Sequence, residues 1–524
     1  MTIERPSGGW QIVSLSAKCY EGPMATEHFD VLIIGAGLSG VDAAWHLKKN
    51  SPQRSFVILE NRERIGGTWD LFRYPGIRSD SDMLTMGYRF RPWTHQSAIS
   101  PGAAIRDYIT GTAKDAGIDR NIRFRHKVVG AAWDSNAARW NVEAVRRDAN
   151  GREDAVQISA NFLFSCAGYY KYEAGYTPEF VGRDRFKGKI VHPQHWPEHL
   201  DYTGKRVVII GSGATAVTLV PSLAKTAGHV TMLQRSPTYY VSRPEKDAMA
   251  NFLRKVLPAS WAYAIPRWRN ILLQRFFFNR ARQKPEKVKE LLIKGVSDLL
   301  GPDYDVATHF TPKYNPWDQR LCLVPDADMF NAIKGGRASV VTDSIDTFTE
   351  NGIKLKSGKE IAADIIVTAT GLQMQVLGGV AVSVDGQKID FGKTFTYKGL
   401  MFSGVPNLAS VFGYTNASWT LRADLICEYV CRLLNTMDEK GVQVATPRLS
   451  EAEMKAEPWL DFSSGYVQRA LAMLPKQGPK APWRQNQNYF ADIKDMRRAP
   501  IEDAALEFSK AQAGASKELG AAAE

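Results

Sequence analysis

The sequence of 524 residues contains few cysteines and no long apolar run. Its five cysteines, Cys19, Cys166, Cys322, Cys427 and Cys431, are odd in number and irregularly spaced, so a disulfide framework is not expected. The absence of a C-x-x-C motif weighs against a thiol–disulfide oxidoreductase. Because the sequence lacks both a run of 18 apolar residues and a signal peptide, it predicts a cytoplasmic protein without a spanning helix.

The charge of the chain is unbalanced, with a formal net charge of +12. Lys and Arg are spread along the sequence and form no basic tail, so the charge gives little support for a nucleic-acid partner. Residues 243–300 are rich in Lys, Arg, Trp and Phe and have helical periodicity. A basic amphipathic helix of this kind either lies on a membrane surface or packs against its own protein. We favour packing, and peripheral membrane association stays open.

Three signals organise the chain, at residues 29–50, 205–223 and 363–371. In the first two, an apolar run of strand length meets a glycine-rich turn, and apolar residues then recur at helical spacing. The third is a buried strand that ends in small residues, and a similar strand is predicted within 162–168. The pattern predicts an α/β fold with two Rossmann-like dinucleotide-binding domains.

Gly35, Gly37 and Gly40 form G-x-G-x-x-G between the first strand and its helix. The first glycine makes a tight turn, the second lets the backbone approach a pyrophosphate, and the third lets helix and strand pack closely. The helix N-terminus then faces the phosphates with unpaired N–H groups. Glu60 follows at the end of the next strand, where an acid accepts hydrogen bonds from both ribose hydroxyls. This site therefore predicts FAD or NAD, both of which have an unmodified ribose.

Gly211, Gly213 and Ala216 form the matching motif in the second signal, where Ala still allows close packing. The next strand ends in M-L-Q-R-S, which places Arg235 and Ser236 where the first site has an acid. Guanidinium and hydroxyl groups bind the 2′-phosphate that a carboxylate would repel, so the second site predicts NADPH. An exposed Arg at a strand end, without a ligand, is the alternative interpretation.

A second glycine pair, Gly66 and Gly67, follows Glu60 and is typical of FAD domains. Two nucleotide sites in one chain indicate a redox enzyme in which NADPH delivers hydride to FAD. The predicted organisation is an N-terminal extension at 1–28 with Met24 as an alternative start, the first part of the FAD domain at 29–170, the NADPH domain at 171–364 with a helical insertion at 243–310, the second part of the FAD domain at 365–500, and a C-terminal tail at 501–524.

Residues 186–197, F-K-G-K-I-V-H-P-Q-H-W-P, match the pattern F-x-G-x-x-x-H-x-x-x-W-P of Baeyer–Villiger monooxygenases. Both glycine motifs fit this family, as do G-G-T-W-D-L-F-R-Y-P-G-I-R-S-D at 66–80, N-P-W-D-Q-R-L at 315–321 and T-A-T-G at 368–371. From residue 29 to residue 500 the chain resembles the ethionamide-activating subgroup of these class B flavoprotein monooxygenases. The resemblance implies an NADPH- and O2-dependent enzyme that converts ketones to esters or lactones through a C4a-peroxyflavin and also oxidises sulfides.

The resemblance also implies roles for individual residues. Arg320 is the cation that keeps the oxygenating peroxide anionic, and Asp80 pairs with it. Besides the first three glycines, FAD contacts fall on Ser39, Glu60, Thr68, Trp69, Asp70, Leu71, Asp80 and the backbone of Val128. NADP contacts fall on Arg78, Ser79, Asp80, Gly211, Ser212, Gly213, Ala214, Thr215, Ala216, Val217, Arg235 and Ser236. Many relatives have Lys where this chain has Gln319, which predicts a weaker preference for NADPH.

Plainer interpretations exist for several of these residues. Arg320 is alternatively an exposed cation beside Asp318, and Asp80 and Asp82 are alternatively helix caps. An S- or N-oxidising flavin monooxygenase and a non-oxygenating NADPH-dependent reductase are the alternative functions.

Two further segments carry candidate site residues. His192 and His195 have H-x-x-H spacing, but no third ligand lies near in the sequence, so no metal is predicted. The resemblance gives His192 a role in structure or in domain motion. Residues 413–421 predict a turn into a helix that continues to residue 434 and points its N-terminus at the flavin. Asn416 and Trp419 would then line the substrate pocket, although an aromatic residue at a helix start is more often part of the core.

Overall fold

The computed structural model describes residues 27–450, 454–460 and 462–511. Residues 1–26 of the predicted N-terminal extension, with Cys19 and Met24, lie outside the described residues. Within them, no helix combines the length and the apolar character that crossing a bilayer requires.

The described chain alternates short strands with helices. The strands are β1 Glu27–Ile34, β2 Phe56–Glu60, β3 Ile122–Phe124, β4 His126–Asp134, β5 Arg139–Arg147, β6 Glu153–Ser165, β7 Lys189–Val191, β8 Arg206–Ile210, β9 His229–Gln234, β10 Tyr240–Arg243, β11 Cys322–Pro325, β12 Ala338–Thr342, β13 Ile345–Thr349, β14 Gly352–Leu355, β15 Glu360–Ala362, β16 Ile365–Thr368, β17 Ala381–Val384, β18 Gln387–Lys388, β19 Thr396–Tyr397, β20 Met401–Phe402, β21 Leu408–Ser410, β22 Val444–Pro447, β23 Glu457–Pro458, β24 Lys476–Gln477 and β25 Leu506–Ser509. The helices are α1 Leu38–Asn50, α2 Thr68–Leu71, α3 Met83–Met86, α4 Gly102–Asp115, α5 Ala214–Leu223, α6 Ala248–Val256, α7 Ala259–Gln283, α8 Pro285–Leu300, α9 Val306–Phe310, α10 Asp328–Lys334, α11 Trp419–Lys440, α12 Gly465–Ala470 and α13 Tyr489–Asp492.

The larger sheet has the strand order β18-β17-β4-β5-β6-β1-β2-β3, and β21 also pairs with β6. β1 is parallel to both of its neighbours, with Val31 opposite Phe56 of β2 and opposite Phe162 of β6. Its second half, V-L-I-I, is buried on both faces: Val31 and Ile33 lie in the core cluster of the helices, and Leu32 and Ile34 lie in a cluster with apolar side chains of β4 and β5. The carboxyl ends of β1, β2 and β6 therefore meet at one edge of this sheet.

The second sheet is entirely parallel, with the order β12-β9-β8-β16-β7. The predicted α/β fold with two Rossmann-like sheets is confirmed. The predicted domain boundary between residues 364 and 365 is wrong, because β16 pairs with β8 and β7 inside this sheet. The chain returns to the first domain only after Thr368, so the buried strand that ends in small residues belongs to the second domain.

The predicted helical insertion in the second domain forms four helices, α6 to α9, between β10 and β11. One face of α7 packs on the first domain, where Tyr263, Arg267 and Ile271 are buried. The guanidinium of Arg267 donates hydrogen bonds to the carbonyl oxygens of Leu84 and Gly87, at 2.8 Å each. The favoured interpretation, packing on the same chain, therefore holds for this face of the insertion.

α11 lies against α1 in the core of the first domain and runs to Lys440, beyond the predicted end at residue 434. It ends where Gly441 adopts the left-handed conformation, with φ of +61°. The predicted C-terminal tail, which starts at residue 501, forms a strand in its described part. There β25 pairs antiparallel with β22 and buries Leu506.

Candidate active site

The first glycine-rich turn joins β1 to α1 with almost no free space. Gly35 has φ of +98°, and a Cβ there would lie 2.9 Å from the carbonyl oxygen of Cys166. A Cβ at Gly40 would lie only 1.8 Å from the carbonyl oxygen of Gly35. Close packing of helix, turn and strand therefore excludes any side chain at the first and third positions of the motif.

The N-terminus of α1 opens into a cleft. Its N-cap residue is Gly37 and no side chain caps it, so the first N–H groups of the helix stay available to an anion. The second glycine pair faces this turn, with the Cα of Gly67 3.5 Å from where a Cβ of Gly37 would be. Two glycine turns that approach so closely leave backbone rather than side chains around the helix end, which suits a pyrophosphate.

Glu60 lies buried at the carboxyl end of β2, beside this turn. Its carboxylate accepts hydrogen bonds from the backbone N–H groups of Ala36, at 2.7 Å, and Arg62, at 2.8 Å. Burial raises the pKa of Glu60, and the two N–H donors oppose that rise. The acid is thus fixed in place at the cleft, where ribose hydroxyls would reach it.

One cavity gathers most of the predicted FAD contacts. Its lining includes Gly35, Gly37, Ser39, Glu60, Thr68, Trp69, Asp80 and Val128. Three predicted contacts, Gly40, Asp70 and Leu71, do not line it. Gly40 packs behind the turn and Leu71 is buried. The carboxylate of Asp70 accepts a hydrogen bond from Arg62, whose Nε lies 2.9 Å from Oδ2 of Asp70. Asp70 and Leu71 therefore support the loop from behind.

Arg320 and Asp80 meet in the lining of this cavity although they are far apart in the sequence. Nη2 of Arg320 lies 2.9 Å from Oδ2 of Asp80, and the two side chains keep 38% and 41% of their surface exposed. The neighbouring Asp80 raises the pKa of Arg320 above its usual value, so the guanidinium stays charged. Asp318, the partner in the plainer interpretation, pairs with Arg282 at 3.0 Å instead. Arg320 is therefore a positively charged side chain in the lining of the cleft and not a surface cation paired with Asp318.

The helix-capping role falls on Asp82 and not on Asp80. Asp82 is the N-cap of α3, and its Oδ1 accepts a hydrogen bond from the N–H of Thr85 at 3.0 Å. Asp82 also accepts hydrogen bonds from Asn270 and Gln274 of α7, at 3.0 and 3.1 Å. These contacts fix the loop that carries Asp80 beside Arg320.

Aromatic side chains make up much of the remaining lining, and the sequence analysis missed them. Tyr169 and Tyr170 follow the end of β6, and their hydroxyl groups lie 3.0 Å apart. Tyr466 of α12 lines the same cavity. Burial raises the pKa of all three tyrosine hydroxyls, which therefore stay protonated. Both Tyr169 and Tyr170 stand at the carboxyl end of a parallel strand, a position that marks ligand sites in such sheets and so was a usable signal.

Trp419 lines the cavity as predicted, whereas Asn416 does not. The indole Nε1 of Trp419 donates a hydrogen bond to Oγ of Ser39 at 2.8 Å, and its ring stacks on Tyr169 with centroids 5.4 Å apart. Asn416 instead donates to the backbone oxygen of Gln487 at 2.9 Å. The start of α11 thus contacts the first turn of α1 directly.

The second glycine-rich turn is far more open. Gly211 has φ of +131°, and a Cβ there would lie 2.3 Å from the carbonyl oxygen of Ala369, but a Cβ at Gly213 would meet nothing within 4 Å. α5 begins after Gly213 without a side-chain cap. The structure places the predicted NADP residues of this turn as follows: Gly213, Ala214, Arg235 and Ser236 are exposed, Gly211, Ser212 and Thr215 are half-buried, and Ala216 and Val217 are buried.

Two other predicted NADP contacts are engaged within the protein. The guanidinium of Arg78 donates to the carboxylate of Asp328, with Nη2 3.3 Å from Oδ1. Ser79 is buried, and its hydroxyl oxygen accepts from the N–H of Ser100 at 3.0 Å. The structure therefore does not bring Arg78 or Ser79 to the second turn as free donors.

The histidine motif directly follows β7 at the edge of the second sheet and packs tightly. A Cβ at Gly175 would lie 1.9 Å from Cε1 of His192, so the ring rests on that glycine. Nδ1 of His192 accepts from the N–H of Gln194 at 3.1 Å, and burial lowers the pKa of His192. Nε2 of His195 lies 3.1 Å from the backbone oxygen of Glu173. These contacts agree with a structural role for His192.

Behind the first turn, α1 and α11 share a buried polar cluster that the sequence analysis did not identify. Nε2 of His46 lies 3.0 Å from Asp424 and 3.6 Å from Asp42. Neither carboxylate oxygen of Asp42 has a hydrogen-bond partner. Burial, together with the charges of Asp424 and Glu428, raises the pKa of Asp42 well above its usual value.

The chain is similar to known proteins over most of its length. Residues 98–261 match a family described as flavin-binding monooxygenase-like, and residues 33–91, which contain the first turn, match an NAD(P)-binding Rossmann-like domain. The FAD-containing monooxygenase EthA of Mycobacterium tuberculosis (strain ATCC 25618 / H37Rv) is 53% identical over 486 residues, 93% of this chain and 98% of that protein. The probable FAD-binding monooxygenase AlmA of Acinetobacter baylyi (strain ATCC 33305 / BD413 / ADP1) is 49% identical over 490 residues, 92% of this chain and 97% of that protein.

Solved structures share the fold at lower identity. An oxidised steroid monooxygenase bound to NADP has a TM-score of 0.72 and 20% identity, covering 92% of this chain and 100% of that one. An open form of cyclohexanone monooxygenase has a TM-score of 0.72 and 19% identity, covering 93% of this chain and 100% of that one. These likenesses concern the arrangement of both nucleotide-binding sheets.

Proposed function

The chain belongs to the FAD-containing monooxygenases, and we propose that it is a Baeyer–Villiger monooxygenase that converts ketones to esters or lactones with NADPH and O2. Sulfide oxidation is the accompanying activity. The observation that carries the proposal is the Arg320–Asp80 pair, which lines the same cavity as the first glycine turn. A fixed cation beside the flavin site would stabilise the negative charge that develops when a ketone is oxygenated.

The residues of the cleft fit FAD. The uncapped N-terminus of α1 and the facing Gly67 turn would hold the pyrophosphate, and Glu60 would accept hydrogen bonds from the ribose. Thr68, Trp69 and the backbone of Val128 would contact the rest of the cofactor. Bound FAD, once reduced by NADPH, supplies the activation of O2.

Arg320 would act on the substrate side of the cavity. Oxygen addition to a ketone places negative charge on the carbonyl oxygen, and a permanently charged guanidinium lowers the free energy of that charge. Asp80 keeps one edge of the guanidinium occupied at 2.9 Å and so fixes the direction of the other N–H donors. Arg320 is the catalytic residue of this proposal, and Asp80 positions it.

The half-buried tyrosines would limit the entry of water into the cavity. Tyr169, Tyr170 and Tyr466 present ring faces and neutral hydroxyls, and Phe412 and Trp419 pack against Tyr169. A low-polarity lining strengthens the interaction of Arg320 with developing negative charge, because less water screens it. The same lining would accept an apolar ketone.

The second turn would bind NADPH. Arg235 and Ser236 are exposed at the end of β9, beside the uncapped N-terminus of α5, where a 2′-phosphate would lie. No acidic residue occupies the end of that strand, in contrast to Glu60 in the first site. Gln319, which precedes Arg320, adds no charge to this recognition.

The purified holoenzyme should be given NADPH, O2 and, separately, a linear ketone, a cyclic ketone and an aryl alkyl sulfide. We expect ester, lactone and sulfoxide, with one NADPH consumed for each product molecule. Sulfoxide without ester or lactone would favour the S- or N-oxidising alternative. NADPH consumption that yields only hydrogen peroxide would favour the non-oxygenating reductase.

A further inference from the structure

Exposed apolar side chains are concentrated on the helical insertion. Of the thirteen large hydrophobic residues exposed in the described part of the chain, ten lie on α6, α7 and α8. Trp261 and Phe276 expose 65% and 61% of their surface, and Leu272 exposes 53%. A patch of this extent on one surface marks an interaction site, whereas single exposed hydrophobic residues need no explanation.

The exposed residues of α7 form one continuous stripe. Trp261, Ile265, Trp268, Leu272 and Phe276 follow one another at intervals of three or four residues, which places them along one side of the helix. Phe252 and Val256 of α6 and Leu291 of α8 are exposed beside them. We name these eight residues the insertion surface. The opposite side of α7, with Tyr263, Arg267 and Ile271, is the side buried against the first domain.

The charged side chains of α6 and α7 all have one sign. From residue 248 to residue 283 the chain carries seven Lys and Arg residues and no Asp or Glu. Residues 243–300 hold thirteen basic and five acidic residues, and so eight of the twelve excess positive charges of the whole chain. Lys255, Arg280 and Lys284 are exposed and form no ion pair among the described residues.

We propose that the insertion surface binds the surface of an anionic lipid bilayer. The stripe of Trp, Phe and Leu would enter the boundary between headgroups and acyl chains, and the flanking Lys and Arg would meet anionic headgroups. A protein partner with an acidic rim would carry the same negative charge as the lipid headgroups, but the continuous stripe of bulky side chains along one helix fits a flat apolar layer. A bilayer also explains why no acidic side chain interrupts the stretch.

The position of α7 gives this binding a consequence for the enzyme. Asn270 and Gln274 on its inner side bond to Asp82, and Arg282 bonds to Asp318, so α7 contacts both loops that hold Asp80 and Arg320. Because a helix is about 10 Å across, a bilayer under the insertion surface would lie close to the cleft. Lipid-dissolved ketones would then be concentrated next to it.

The test uses the full-length holoenzyme and sedimentation with vesicles. Vesicles of phosphatidylcholine with an equal share of phosphatidylglycerol should pull down the enzyme, and vesicles of phosphatidylcholine alone should bind it at least about tenfold more weakly, with binding weakened by salt. The triple variant Trp261→Ser, Leu272→Ser, Phe276→Ser should lose binding by about tenfold or more. The matched control, Val181→Ser with Met473→Ser, changes exposed apolar residues outside the insertion surface and should bind as the wild type does.

A second variant separates charge from apolar contact. Lys255→Glu, Arg280→Glu and Lys284→Glu together should abolish the preference for anionic vesicles while leaving the FAD content and the activity on a water-soluble ketone unchanged. Equal binding of wild type and both triple variants would overturn the proposal. So would the absence of vesicle binding together with a doubling of mass at higher concentration that the apolar variant lacks, because a second copy of the chain would then cover the surface.

Discussion

The two glycine-rich turns share a motif but differ in how much protein surrounds them. In the first, Gly37 faces the Gly67 turn and Glu60 is buried, so the helix end opens into an enclosed cleft. In the second, Gly213 meets nothing and Arg235 is exposed. A cofactor bound at the first turn would be surrounded by protein, whereas a cofactor bound at the second turn would be exposed to solvent and could dissociate. The difference suits one cofactor that stays bound and one that is consumed in every turnover.

The third motif position gives the largest expected contrast. Gly40→Ala would put a Cβ 1.8 Å from the carbonyl oxygen of Gly35, and overpacking of this severity costs about 3 kcal/mol. We expect the variant to lose FAD, measured as flavin absorbance per polypeptide. Ala216→Gly, the reverse change in the second turn, should cost about 1 kcal/mol and keep its FAD. Equal FAD contents in the two variants would show that the turns do not differ as described.

Arg235 tests the cofactor assignment of the second turn. Arg235→Ala should raise KM for NADPH by about 10- to 100-fold, because charge-assisted hydrogen bonds to the 2′-phosphate are lost. KM for NADH should stay unchanged. Arg337→Ala is the matched control, since Arg337 is an exposed Arg at the amino end of β12, the strand next to β9, whereas Arg235 follows the carboxyl end of β9. A parallel rise in both KM values would place the 2′-phosphate elsewhere.

Asp42 and Thr218 occupy the same position after each turn, seven residues beyond the first glycine. The hydroxyl of Thr218 donates to the backbone oxygen of Ala214 at 2.8 Å, whereas the buried carboxylate of Asp42 has no hydrogen-bond partner and its pKa is raised. A raised carboxyl pKa means that the folded state binds more protons, so stability falls as pH rises above about 4. Asp42→Thr should therefore be more stable at pH 8 by about 1 to 3 kcal/mol.

Thermal unfolding from pH 5 to pH 8 measures this effect. The gain in stability of Asp42→Thr over the wild type should shrink as the pH falls, because protonation removes the buried negative charge of Asp42 in the wild type. An advantage that is the same at every pH would mean that packing, and not the charge of Asp42, sets the difference. A variant less stable at pH 8 would show that Asp42 has a favourable role in the cluster with His46 and Asp424.

Local patterns were enough to predict both turns. The strand, the glycines and the acid of the first site follow one another in the chain, and so do the strand, the motif and Arg235 of the second. The sequence also indicated that α7 is amphipathic and basic. It did not show which side of α7 faces the first domain, because that depends on where residues 84–87 lie.

Long-range pairing was what the sequence could not reveal. β16 was predicted as a strand but assigned to the wrong domain, since its neighbours β7 and β8 come much earlier in the chain. The cavity lining joins Tyr169, Phe412 and Tyr466 from three distant segments. Even the Arg320–Asp80 pair followed only from the family resemblance, because nothing in the spacing of the two residues brings them together.

The central claim is that the charge of Arg320 serves oxygen transfer and not FAD binding or flavin reduction. Arg320→Ala should keep its FAD and its rate of flavin reduction by NADPH within about twofold, while ester formation from a ketone falls by at least about 100-fold. Arg282→Ala, which removes the nearby pair with Asp318, is the control and should form ester normally. Ester formation by Arg320→Ala at the wild-type rate would contradict the account.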